Sequence, residues 1–193
     1  MSAASPPAAA TPSHAGYVPA RRRALVLALC AALAALAFAT LSFDRALVAA
    51  LVAGVLVVLS AIDIERGIIP NRIVLPASGF VLALQLALFP GQAGEWTLAP
   101  LSLALLLAIP QLVGRAWMGM GDVKLALLLG AGLGWGAYGA LVAAFVCVFP
   151  AALIVLVRGG IAARKARVPF GPFLSLGALI ILFGPHLAGL PTG

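Results

Sequence analysis

Residues 125–157 read LALLLGAGLGWGAYGALVAAFVCVFPAALIVLV, 33 positions without a charge. As one helix at about 1.5 Å per residue, this run would extend about 50 Å, well beyond the roughly 30 Å hydrocarbon core of a bilayer. Gly134-Trp135-Gly136 supplies a turn signal, and Trp135 and Tyr138 suit a membrane–water interface. The run therefore divides into two spans, roughly 122–134 and 137–157, the first of them short.

Working outward, five more uncharged stretches have the length of a crossing. They cover residues 24–43, 46–62, 73–90, 97–113 and 172–190. Asp44-Arg45 makes the first turn, and Phe89-Pro90-Gly91 closes the third span. The expectation is an all-α, polytopic membrane helix bundle of about seven transmembrane helices. Residues 1–23, with a proline-rich stretch ending on Arg21-Arg22-Arg23, read as a disordered tail, and residues 24–190 as the membrane domain. A cleavable signal is the rival reading of the first span, because Ala37-Phe38-Ala39 resembles a processing site. Its twenty uncharged positions exceed the about 7–15 residues such signals use, which favours a retained helix.

The charges give this count an independent check. With the arginine cluster placed inside, the inner segments hold 11 of the 12 basic residues, and the outer turns hold only Arg45. That is the positive-inside bias, and it places the N-terminus in the cytoplasm. Reading 125–157 as one span would put Arg158, Arg164, Lys165 and Arg167 on the wrong side.

Composition excludes other classes. The chain of 193 residues is 64% apolar and 9% charged, against about 25% charged in soluble domains. A net charge of +7 could point to nucleic acid, but the basic residues sit in short clusters between apolar runs, so no nucleic-acid partner is expected. Cys30 and Cys147 stand far apart in apolar stretches without metal-ligand spacing, so neither a metal nor a disulfide is expected.

Five acidic residues remain: Asp44, Asp63, Glu65, Glu95 and Asp122. Asp44 and Glu95 fall in outer turns and read as solvated loop charges. Asp63 and Asp122 each abut a span at its cytoplasmic edge, where a carboxylate near hydrocarbon costs a few kcal/mol unless hydrated or paired. A helix-cap role is the plain alternative. Asp122 follows Gly119-Met120-Gly121, whose glycines permit a close backbone approach, and Asp63 begins Asp63-Ile64-Glu65-Arg66-Gly67-Ile68-Ile69-Pro70-Asn71, where Pro70 and Asn71 favour a turn. Though 59 residues apart in sequence, the two acids share one membrane face. Brought within a few ångströms they would share a proton; one could activate water while the other protonates an amide. That chemistry needs no metal or cofactor.

These residues carry a resemblance. Gly119-Met120-Gly121-Asp122 resembles the GxGD motif of membrane aspartic proteases. Together with Val123-Lys124-Leu125, the Asp63-x6-Pro70-Asn71 pattern and Val168-Pro169-Phe170-Gly171-Pro172-Phe173-Leu174, it looks like the type IV prepilin peptidase family. The resemblance covers roughly residues 45–185. It implies an endopeptidase that removes the basic leader from pilin-like precursors at the cytoplasmic face of a bacterial inner membrane, with Asp63 and Asp122 catalytic. Gly119, Gly121, Lys124, Pro70, Asn71, Pro169 and Gly171 would support the motifs. The larger members, which also methylate the new N-terminus, carry an inserted domain with a cysteine zinc site; this chain has no CxxC pair, and the expectation is a peptidase-only form like those of tight-adherence pili.

Neighbouring residues have plainer expectations. Glu65 reads as a solvated carboxylate, Lys124 as an interface anchor, Pro172 with Gly171 as a helix entry or bend, and the cysteines as packing residues. Three other functions compete. An intramembrane GxGD protease of another substrate class would show Tyr before its first aspartate, where this chain has Ile62. A small proton- or cation-coupled transporter would place its acids mid-span. A non-catalytic assembly scaffold would tolerate loss of either aspartate.

Overall fold

The computed structural model of the chain describes residues 20–113, 119–159 and 170–187. Seven α-helices and no strand occur among them. They are α1 (Ala20–Thr40), α2 (Phe43–Arg66), α3 (Asn71–Leu88), α4 (Ala93–Val113), α5 (Met120–Leu133), α6 (Gly136–Gly159) and α7 (Gly171–Leu187). A single 3-10 turn, Pro90–Gln92, joins α3 to α4. The all-α bundle and the division of residues 125–157 are as expected. Gly134 makes the break, with φ +56°, a backbone region that side-chain-bearing residues rarely occupy.

The helix ends differ from the expectation in ways that matter for the acids. The first turn is Leu41-Ser42, so Asp44 and Arg45 lie inside the first turn of α2, where Asp44 suits the positive end of the helix. At its other end α2 does not stop before Asp63. Ile64, Glu65 and Arg66 continue it by one turn until Gly67, left-handed at φ +63°, whose N–H donates to the Asp63 carbonyl at 2.8 Å. Asp63 is therefore held within the last turn rather than beyond it.

Five helices, α1 to α4 and α6, are each long and apolar enough to cross a membrane. The other two are shorter. At 14 residues α5 extends only about 21 Å, yet it forms the centre of the bundle. Leu125, Leu128 and Leu129 of α5 are buried against Leu56 and Leu59 of α2, Val74 and Val81 of α3 and Leu103 of α4. Glycine lets α5 come this close: a Cβ on Gly130 would overlap the Pro100 backbone of α4. The α6–α7 pair uses the same device at Gly177 against the Ala140 backbone. By contrast α1 packs mainly on α2, in a small second cluster of Ala37, Ala46, Ala49 and Ala53 to which α7 adds Phe183.

Large apolar side chains cover the outside of the bundle, among them Leu27, Phe80, Leu105, Val146, Phe149 and Val157. Soluble proteins rarely expose such continuous apolar surface, whereas a helix that crosses a bilayer must. The chain is a multi-pass membrane protein.

Candidate active site

Asp63 and Asp122 come together at one end of the bundle. Asp63 arrives in the last turn of α2, Asp122 in the first turn of α5, and both are buried, at 7% and 8% exposure. Their separation is small enough for the charge of Asp63 to act on Asp122. Neither lies mid-helix, where a transporter would have placed them.

Each carboxylate is held by the N–H of a glycine at the start of a helix. Gly119 caps α5, and its N–H donates to the Asp122 carboxylate while its carbonyl accepts the Asp122 N–H at 3.0 Å. This is the reciprocal arrangement by which an acid in the third helical position closes an N-terminus. Gly171 opens α7, and its N–H donates to the Asp63 carboxylate. The first N–H groups of a helix have no partner within it and carry its positive dipole end. Two helix N-termini therefore compensate two buried acids. The cap role weighed for Asp122 is thus real, and it coexists with the pairing of the acids.

The segments converge on Ile69, which the sequence did not single out. Its side chain fills the space between two glycines: a Cβ on Gly121 would stand 3.0 Å from Ile69 Cβ, and one on Gly171 would stand 3.5 Å from Ile69 Cδ1. At Gly171 the fit is tighter still, since that Cβ would lie 2.6 Å from Asp63 Oδ2. Gly171 and Pro172 do form the helix entry of the plain reading, and Gly171 in addition contacts an acid directly. The only available signal was the glycine itself, placed immediately before Pro172.

Two further motif residues meet across the site. Lys124 Nζ donates to Asn71 Oδ1 at 2.6 Å, joining α5 to the start of α3. Lys124 is thus a strut between two motif segments, not simply an interface anchor. Pro70, extended at φ −72°, caps α3 and accepts the N–H groups of Ile73 and Val74 at 3.0 and 3.1 Å. Pro169 lies outside the described residues.

The remaining acids depart from the solvated reading to different degrees. Asp44 is exposed, as expected. Glu65 is half-buried and borders an apolar groove between α1, α2 and α7. Glu95 is half-buried as well, and its Oε1 accepts the Trp135 N–H at 3.0 Å, fixing the turn between α5 and α6. Among the described residues no cluster of three or more His, Cys, Asp and Glu side chains could hold a metal ion.

Sequence comparison is consistent with this geometry. The profile of the type IV leader peptidase family matches residues 50–161, more than half of the chain and a stretch that includes both aspartates. The prepilin leader peptidase/N-methyltransferase of Aeromonas hydrophila is 33% identical over 154 residues, 73% of this chain and 51% of the relative. The proteins of the same name from Aeromonas salmonicida and Burkholderia pseudomallei (strain 1026b) are 32% and 31% identical, covering 73% and 66% of this chain and 50% and 43% of theirs. The chain spans about half the length of the curated relatives it matches. No solved structure gives a significant match. The chain belongs to the type IV leader peptidase family.

Proposed function

We propose that this member of the type IV leader peptidase family is an aspartic endopeptidase that cleaves the leader from prepilin-like precursors, with Asp63 and Asp122 as its catalytic pair. The observation that carries the reading is the meeting of two buried carboxylates from separate helices, each held by a helix-opening glycine N–H. The relatives' printed name supplies the substrate class, a prepilin leader. Of the two activities in that name, the carboxylate pair accounts for peptide hydrolysis, and only that one is carried over.

Between them the two carboxyls carry one proton, because adjacent like charges disfavour double ionisation. The ionised member takes a proton from water as the water oxygen bonds to the scissile carbonyl carbon. The protonated member gives its proton toward the peptide group, and it ends on the leaving nitrogen as the C–N bond breaks. The products are a carboxylic acid and an amine, and the pair again holds one proton. Positioned acid–base transfer of this kind contributes about 10²–10⁴-fold in rate. The backbone N–H groups of Gly119 and Gly171 fix the carboxyls without taking part in the transfer.

The proposed location of this end of the bundle is the cytoplasmic face of the inner membrane, a reading supported by the bias of basic residues in the sequence. A precursor anchored by an apolar segment would present its leader junction at that depth. The test is precursor processing in membranes carrying Asp63→Asn or Asp122→Asn protein. Each variant should insert at the normal level and leave the precursor uncut; near-normal cleavage by either would refute the assignment.

A further inference from the structure

At the end of the bundle opposite the two aspartates, an open cavity of about 230 Å³ lies between α2, α3 and its connection to α4, the C-terminal end of α5 and α7. Its lining is mainly apolar, but it carries four side chains with polar atoms, Arg45, Gln85, Gln92 and Trp96. Gln85 of α3 is 3% exposed, and its Nε2 donates to the Gly132 carbonyl at 3.2 Å. That bond turns the amide so that the acceptor Oε1 faces elsewhere, and Oε1 has no partner among the described residues. Trp96 of α4 also lines the cavity. Its ring centroid sits 6.3 Å from that of Phe89, and its buried Nε1–H has no acceptor among the described residues. Gln92 and the exposed Arg45 are its other polar side chains, and among the described residues no acidic one lines it.

A buried acceptor and a buried donor without partners are rarely left so in a folded protein. Here they occur together, beside a cation, on one cavity. We infer that this cavity binds a phosphoglycerol group, a phosphodiester bearing free hydroxyls, presented by an anionic phospholipid of the leaflet opposite the aspartates. The phosphate would take the Arg45 guanidinium and the Trp96 Nε1–H, and a glycerol hydroxyl would donate to Gln85 Oε1. The net positive lining favours an anionic headgroup over a zwitterionic one. The apolar neighbours Leu41, Phe89 and Leu182 offer contact to acyl chains beside the headgroup. This site is independent of the reaction proposed for Asp63 and Asp122.

The test is native mass spectrometry or thermal shift of the full chain in detergent, titrated with dihexanoyl phosphatidylglycerol, dihexanoyl phosphatidylcholine and soluble glycerophosphoglycerol. The phosphatidylglycerol should bind at least about tenfold more tightly than the phosphatidylcholine. Arg45→Gln and Trp96→Phe should each weaken it by about tenfold, whereas Asp44→Asn, at an exposed neighbour, should not. Equal binding of the soluble diester, lost in the same two variants, would support the site and move the source of its ligand from bilayer to solution. Equal binding of the two lipids, or wild-type binding by Arg45→Gln, would overturn the inference even if Trp96→Phe failed to fold.

Discussion

The backbone N–H of Gly171 donates to the carboxylate of Asp63, and a methyl group at position 171 would lie 2.6 Å from Asp63 Oδ2. The start of α7 is thus built around an acid that belongs to α2. Each consequence below can be measured on precursor cleavage or on the stability of the purified protein.

Gly171→Ala should displace either the carboxylate or the start of α7. A displacement of about 1 Å in a positioned group lowers rate by about a hundredfold. We expect that loss in kcat with little change in membrane insertion. The check is single-turnover cleavage of a pilin-type precursor alongside helix content by circular dichroism.

Ile69→Ala should loosen the packing that joins Gly121 and Gly171. The side chain is half-buried, so the stability loss should fall below the full burial range, at roughly 1–2 kcal/mol. Cleavage should fall as well, because the segment that bears Asp122 and the glycine that contacts Asp63 both pack on this residue. Ile69→Val, which keeps the branched carbon against Gly121, should retain most of the activity.

Lys124 and Asn71 should behave as one unit. Removing either side of an exposed hydrogen bond to a charged group costs on the order of 1 kcal/mol, about fivefold in rate if the strut orients Asp122. Lys124→Met and Asn71→Ala should each show that loss, and the double variant no more than either alone. Independent losses that multiply would show that the bond does not act as a strut.

Asp44→Asn should leave activity unchanged and lower stability by no more than about 0.3–1 kcal/mol, since the side chain is distant from the pair and its charge acts only on the exposed start of α2. Glu95→Ala should separate the two readouts. It removes the acceptor of the Trp135 N–H at the far end of the bundle, so thermal stability should drop while cleavage at low temperature stays near normal.

Much of this organisation is legible in the residues alone. Uncharged run lengths point to all seven helices among the described residues, and the length of 125–157 demands the break that Gly134 makes. The two acids stood out because a carboxylate beside hydrocarbon needs a reason. Helix ends were less legible, because Ile64, Glu65 and Arg66 belong equally well to a helix or a polar loop; only the left-handed Gly67 decides where α2 stops. The partners of the acids were hidden for a different reason. Backbone N–H groups leave no trace in residue identity, so Gly119 and Gly171 showed as glycines without showing what they hold. Ile69 was invisible because an isoleucine between two turns carries no chemistry, and its role comes entirely from two distant glycines. Glu95 looked solvated because its partner lies 40 residues away in the α5–α6 turn.

The central claim is that Asp63 and Asp122 act as one acid–base unit. Its most direct test is a kinetic cycle of Asp63→Asn, Asp122→Asn and the double variant on purified, membrane-reconstituted protein. The account predicts that each single change removes about as much activity as both together, because half of a proton-sharing pair does nothing alone. If the two losses multiply instead, or if one single variant keeps substantial cleavage, the carboxylates work separately and the paired mechanism is wrong.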